Sequence, residues 1–370
     1  MLTIANLRIQ SQETSFSDWI SVSTLGLAPL VAHILAGAPQ PSFLVSSKPR
    51  WHDRICVLNP TTILCRYAAI VDRRIRARGG RWEPGDAAAA NAIFWTCQGW
   101  VGSDLMAVEA LPLCTLLPEC GTVRLLSTEM LKTIIVTLQG LQSLVMLLGG
   151  ATGTIMYNQY FGLDWVFGPL SIMGLLRLFA APWLTSDFMY SIRTAGTGSA
   201  APDRSRHSVD SLCITSEEKS PVVIRYRSSS YRPSRCFRVL YLGLLASCWL
   251  LAVWWTFIKP FIQPTGLPLT LSAFITGAFY VSALASVIAI FFYYYVWHGS
   301  TSTVLPCIGE TWYKVYTMLL MSFTLVVILL VALETYKTPC GTYSSLPRKC
   351  ADLVCKVREG EVTGAFTDCY

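Results

Sequence analysis

Charge is scarce in this chain: only 14% of its 370 residues are Asp, Glu, Lys or Arg, against about a quarter in ordinary soluble domains. Several catalytic signatures are missing as well. No GxxxxGK[ST] loop and no GxGxxG turn occurs, which removes the common phosphate-cradling and dinucleotide-binding readings. Paired acidic motifs for diphosphate–metal chemistry are absent too, so an Asp-rich prenyl-transferring enzyme is not expected. No Asn-x-Ser/Thr acceptor exists, because Asn59 is followed by Pro60, and glycosylation cannot report sidedness. The N-terminus lacks the basic n-region of a signal peptide and places Glu13 and Asp18 there instead.

Apolar residues are abundant, at 53%, and they collect into runs. Five approach the length that crosses a hydrocarbon core, about 20 residues: 128–148, 163–183, 237–258, 269–297 and 313–334. A sixth, 20–37, is shorter and carries Ser, Thr and His. The expected fold class is therefore all-α, a polytopic transmembrane bundle of five or six spans with one amphipathic interfacial helix. The expected divisions are 1–37 with the first span, a cytosolic basic and aromatic loop at 38–127, and the second and third spans at 128–183. A disordered basic cytosolic loop at 184–236, the fourth to sixth spans at 237–334 and a Cys-rich tail at 335–370 complete the chain.

Sidedness follows from arginines and cysteines. Loops 38–127 and 184–236 carry most of the Lys and Arg that flank the spans, whereas 149–162 carries none. Basic flanks stay in the cytosol, so the tail and the N-terminus fall on the opposite side. The 298–312 loop disagrees, since it should be cytosolic and has no basic residue. In the tail, Cys340, Cys350, Cys355 and Cys369 are an even set in a short polar segment. Two disulfides in an oxidising, exoplasmic compartment is the reading of that pattern, with three possible pairings; free or lipidated thiols are the alternative. No CxxC pair or nearby His supports a metal site. Cys56, Cys65 and Cys97 call for no chemistry, and no cofactor is expected.

The stretch NPTTILCRYAAIVDRRIRARGGRW holds six arginines, Arg66, Arg73, Arg74, Arg76, Arg78 and Arg81. Asn59-Pro60 is a helix start and Gly79-Gly80 a stop. The helix predicted over 60–78 shows an apolar stripe of Ile63, Leu64, Tyr67, Val71 and Ile75. An amphipathic basic helix of this kind suits a leaflet surface, with the six arginines on anionic lipid headgroups, or packs as structural cover on the cytosolic face. An anionic-substrate site is the second reading. No motif supports nucleic acid.

Polar residues inside spans are the default place to seek function. Arg177 is the one charge well inside a strong span; it either snorkels to the cytosolic surface or joins Gln139 and Gln142 in a polar patch. Asp164 precedes the span that begins DWVFGP. Ala278, Ser282 and Ser286 recur at four-residue intervals in the fifth span, a spacing that lets helices pack closely. His298, in VWHG, resembles the His-containing segment of membrane-bound acyltransferases and is a weak candidate general base. Loop 184–236 is rich in Ser, Gly, Pro and charge; it reads as a disordered segment able to recruit a protein partner.

Across residues 18–105, above all at NPTTILCRYAAIVDRRIRARGGRW and AAAANAIFWTCQGW, the chain resembles a family of fungal integral membrane proteins without an assigned activity. The resemblance implies a fungal origin, an endomembrane or plasma-membrane location and a link to secondary-metabolite gene clusters. It implies no catalytic residue. The expected function is a non-enzymatic accessory or scaffold. A small-molecule transporter or channel is the alternative, and an acyltransferase-like enzyme the third.

Overall fold

The computed structural model describes residues 2–4, 7–9, 15–80, 82–152, 162–191, 225–258, 271–337 and 343–344. The chain is mostly helical. Helix α1 (Phe16–Gly37) opens on Ser15, whose hydroxyl accepts the Asp18 amide. Four helices are long and apolar enough to cross a membrane. They are α1, α8 (Arg232–Val253) with a π turn at Trp254–Ile258, α9 (Leu271–Phe291) with a π turn at Phe292–Trp297, and α10 (Thr311–Glu334). The short first run thus qualifies. The runs at 128–148 and 163–183 form a hairpin of α6 (Thr128–Thr152) and α7 (Gly162–Ala180), which is not among those four.

A small module sits between α1 and α6. Strand β3 (Gln40–Phe43) pairs in parallel with β4 (Ala92–Thr96), which pairs antiparallel with β5 (Gly99–Val101). The turn into β5 needs Gly99, at φ 100°. Helices α2 (Trp51–Val57), α3 (Pro60–Arg76) and α4 (Pro84–Asn91) lie between β3 and β4, and α5 (Asp104–Glu109) follows β5. Leu44, Ala88, Phe94, Met106 and Phe188 form the module's own core.

Helix α3 starts and stops where the sequence places it. Asn59 accepts the Thr61 amide, Pro60 occupies the first turn, and Gly79 and Gly80 hold φ of 65° and 66°. Its surroundings differ from expectation. Nearly the whole helix is buried, its apolar residues sharing one core with Met173 and Leu176 of α7, Tyr241 and Leu245 of α8, and Phe291 of α9. Helices α2 and α3 meet at a 54° bend and together are a fifth candidate span, broken or re-entrant. Polar residues at the bend are matched by α10. Asn59 donates to the Thr317 hydroxyl at 2.7 Å, and Thr62 and Thr61 bond Tyr313 and Tyr316 at 2.7 and 2.9 Å. An interfacial helix would leave these groups to water and lipid; here they are satisfied inside protein.

The module, the short segment after α7, residues 225–231 and the 298–310 loop meet at one end of the helices. Val123 donates to Pro182 O, Arg227 to Arg76 O and Thr303 to Gly102 O, at 2.9, 2.8 and 2.9 Å. Of the small residues spaced along α9, Ser282 is exposed, Ala278 and Ser286 are half-buried, and a close approach is at Gly277 against Thr256.

Candidate functional site

The most concentrated chemistry lies where α3 meets α5 and α8. From α3 come Asp72, Arg73 and Arg76, all buried; Asp104 opens α5, and α8 supplies Ser234 and Arg238. Arg76 grips Asp104 with two nitrogens, at 2.6 and 3.2 Å, and reaches Asp72 through Nε at 2.9 Å. Arg73 Nε lies 3.0 Å from Asp104. Arg238 forks onto Asp72 at 2.7 and 3.0 Å, and the Ser234 hydroxyl adds a bond of 2.5 Å. Fork-to-carboxylate pairing of this kind is both strong and geometrically exacting.

Three guanidinium groups share two carboxylates, so the cluster carries one excess positive charge. Backbone carbonyls accommodate it. Arg73 donates to Gly102 O at 2.6 Å and to Ala89 O and Thr301 O at 3.4 Å; Arg76 donates to Arg227 O at 3.1 Å. Burial alone would raise the Asp104 carboxyl. The charges of Arg73 and Arg76 outweigh burial and hold it below the usual carboxylate range. Beside the cluster, the Arg225 guanidinium is pushed up chiefly by its bond to Asp86, at 2.5 Å, which also accepts from the Tyr226 hydroxyl at 2.6 Å.

Several of the carbonyls belong to helix C-termini, where the macrodipole is negative and the last C=O groups lack partners. Arg66, with no carboxylate partner among the described residues, donates to Gly37 O at the end of α1 and to Asn91 O and Oδ1 at the end of α4, at 2.9, 3.2 and 3.0 Å. Arg238 donates to Tyr295 O in the last turn after α9, at 2.5 Å. Asn91 in turn reaches Trp183 O just past α7, at 2.6 Å. Arg66, Arg73 and Arg76 of α3 are therefore internal staples, Arg66 and Arg73 reaching helix ends and Arg76 reaching loop carbonyls.

A second buried centre lies around Arg177, which is fully buried and does not snorkel. It donates to Thr133 at 2.9 Å, to Glu129 at 3.3 Å and to Ala36 O of α1. Glu129 also holds Lys132 at 2.6 Å and Ser186 at 2.8 Å. Gln139 and Gln142 are not its partners: Gln139 bonds His33 Nε2 at 3.1 Å, and Gln142 is exposed. The wide spacing from Arg177 to the glutamines spans more than one turn of α6, whereas Glu129 and Thr133 lie on the turn beside it.

The remaining expectations sort as follows. Of the six arginines assigned to headgroups, Arg66, Arg73 and Arg76 are withdrawn from lipid by the pairs above. Arg74 is half-buried, Arg78 is exposed, and Arg81 lies outside the described residues. Asp164 falls in α7, its side chain outside the described part. His298 is exposed, its ring packed edge-on against Tyr293 at 4.4 Å. Cys340, Cys350, Cys355 and Cys369 lie outside the described residues. Cys56, Cys65, Cys114, Cys120, Cys236, Cys248 and Cys307 are free thiols, so no disulfide joins two described cysteines. Cys97, expected to be idle, is disulfide-bonded. No group of three metal-ligating side chains occurs among the described residues.

Sequence reasoning missed Asp72, Asp104, Glu129, Ser234 and Arg238. A signal existed in one case: Asp72 and Arg76 stand four apart on one helix face, the spacing of an ion pair, so the helix carried its own first counter-ion. Comparison with protein-family models, curated proteins and solved structures found no match to this chain.

Proposed function

We propose that this chain is an integral membrane protein of five or six spans that acts as a non-enzymatic accessory or scaffold. Its rigid face presents the Ser-, Gly- and Pro-rich stretch of loop 184–236 to a protein partner. The observation that carries the reading is the arginine lattice. Charges that could serve a reaction are instead engaged by each other and by helix ends, an investment in fixing the module against the bundle. The hairpin of α6 and α7 supplies the spans beyond the four, and outward-facing Leu131, Ile134, Leu138, Leu141 and Val145 on α6 suit contact with lipid.

The module face is assigned to the cytosol of an endomembrane or plasma membrane, because Arg78, Arg232 and Arg235 remain exposed there. The Cys97 disulfide opposes this placement. Exposed free Cys120 and Cys236 report on it directly. In sealed vesicles with the cytosolic side inside, an impermeant maleimide is expected to spare both until the membrane is opened; labelling of intact vesicles overturns the assignment.

Transport is the second reading, favoured by the bent α2–α3 pair, because broken and re-entrant helices line many substrate paths. Metabolite profiling of cells and medium from a strain lacking the gene separates the two, and the fungal-family resemblance makes small molecules the relevant readout. The scaffold reading expects no compound trapped on one side. Retention of a compound inside the cells, reversed by restoring the gene, refutes it in favour of transport.

A further inference from the structure

The buried lattice engages Asp72, Asp86 and Asp104 and leaves a second set of arginines outside it. Arg78, Arg232 and Arg235 are exposed, and Arg227 is half-buried with its guanidinium 4.3 Å from the Tyr231 ring centroid. Among the described residues, no ion pair includes any of these four. The main chain gathers them: Ala77 forms a β-bridge with Tyr226, Arg227 donates to Arg76 O at 2.8 Å, and α8 begins five residues later.

The outer face of α8 shows what lies against them. Arg232, Arg235, Val239 and Leu240 all lie on the exposed half of the helix. That half is cationic at Arg232 and Arg235, then apolar at Val239 and Leu240, 57% and 70% exposed, and exposed Leu244, Leu250 and Leu251 follow in the later turns. From Arg235 to Val239 the rise is about 6 Å. A surface that turns from guanidinium to aliphatic within that distance matches the step from lipid phosphate to acyl chain. A protein partner would meet the arginines but not require exposed leucines in the later turns; a bilayer requires both.

We infer that the Arg232–Arg235 edge of α8, flanked by Arg78 and Arg227, is a docking surface for the phosphorylated headgroups of anionic lipids. The inference rests on α8 spanning the bilayer. It moves the lipid-binding role from the arginines inside α3 to arginines that no buried carboxylate neutralises. Each guanidinium near a headgroup contributes about fivefold in retention, and binding weakens with added salt.

The test uses the full chain in phosphatidylcholine nanodiscs doped with phosphatidylinositol bisphosphate, with co-purifying lipid counted by mass spectrometry. Enrichment of the phosphoinositide around the parent protein is expected, with roughly a 25-fold loss of affinity in the Arg232→Gln/Arg235→Gln double variant. The Arg232→Lys/Arg235→Lys double variant keeps the charge and retains most of the enrichment. Equal enrichment in the parent and the Gln variant, or none in a folded parent, overturns the assignment. Failure of the membrane reading shows separately, as release of the chain by alkaline carbonate, and would overturn both.

Discussion

Asp104→Asn removes one carboxylate from a site where two guanidinium groups converge. Arg73 and Arg76 lie 3.0 and 2.6 Å from Asp104, and both arginines are fully buried. The variant leaves three buried guanidinium groups with one carboxylate, Asp72. Removing one partner of a buried pair costs about 3–5 kcal/mol, because the remaining charge stays desolvated. The carbonyls of Gly102 and Thr301 offset part of that and set the lower end of the range. The cost falls on the packing of α5 against α3, so the assay is amide hydrogen exchange at α4 and α5 in detergent-solubilised protein. Opening there is expected to become about 150- to 5,000-fold more frequent. The exposed Glu119–Arg124 pair is the control, and Glu119→Gln is expected to change exchange by less than about fivefold. If Asp104→Asn exchanges no faster than Glu119→Gln, the lattice is not what holds the module.

Three further expectations follow from the same contacts. Asp104 has a depressed carboxyl, so its contribution is complete above the ordinary carboxylate value and is lost as pH falls through the lower folded-state value; protection at α5 should hold between about pH 8 and pH 5 and begin to decline only below about pH 4, and loss nearer neutrality would contradict the assignment. Arg177→Leu should destabilise the protein strongly, and adding Glu129→Leu should recover part of the loss, because two apolar groups replace a buried pair at little cost; strictly additive melting shifts would show that the two do not interact. Gly102→Ala places a methyl group 2.5 Å from Val304 Cγ2 and 3.0 Å from Val304 N, an overpacking cost of about 1–3 kcal/mol; unchanged thermal stability would show that the 298–310 loop yields freely.

Much of the fold was legible because long apolar helices write themselves as hydrophobic runs. Helix α3 was legible in its ends, since Asn-Pro and Gly-Gly are local signals, but not in its place. An amphipathic basic helix on a leaflet and one buried among charge partners have the same sequence pattern. What separates them is whether counter-ions arrive from elsewhere in the chain. Those partners are remote: Arg238 is 166 residues from Asp72, and Arg76 is 28 from Asp104. Arg177 was singled out correctly as an unusual residue and matched to the wrong partners, because Glu129 reads as an ordinary flank of its span. The 298–312 loop lacked the basic residues expected on its side for a reason now visible: Thr301 O receives two arginines from α3, so this loop contributes acceptors.

The bend between α2 and α3 also bears on how the protein is made. Asn59, Thr61 and Thr62 find their partners on α10, 251 to 258 residues further along the chain. A ribosome has therefore delivered nearly every other helix before those groups can be satisfied. Until then the polar turn at the head of α3 lacks those partners, although the arginines further along the helix already have theirs on α1, α4, α5 and the 298–310 loop. Docking of α10 is the step that closes the bend, and a chain stopped before residue 311 would leave Asn59, Thr61 and Thr62 without their partners.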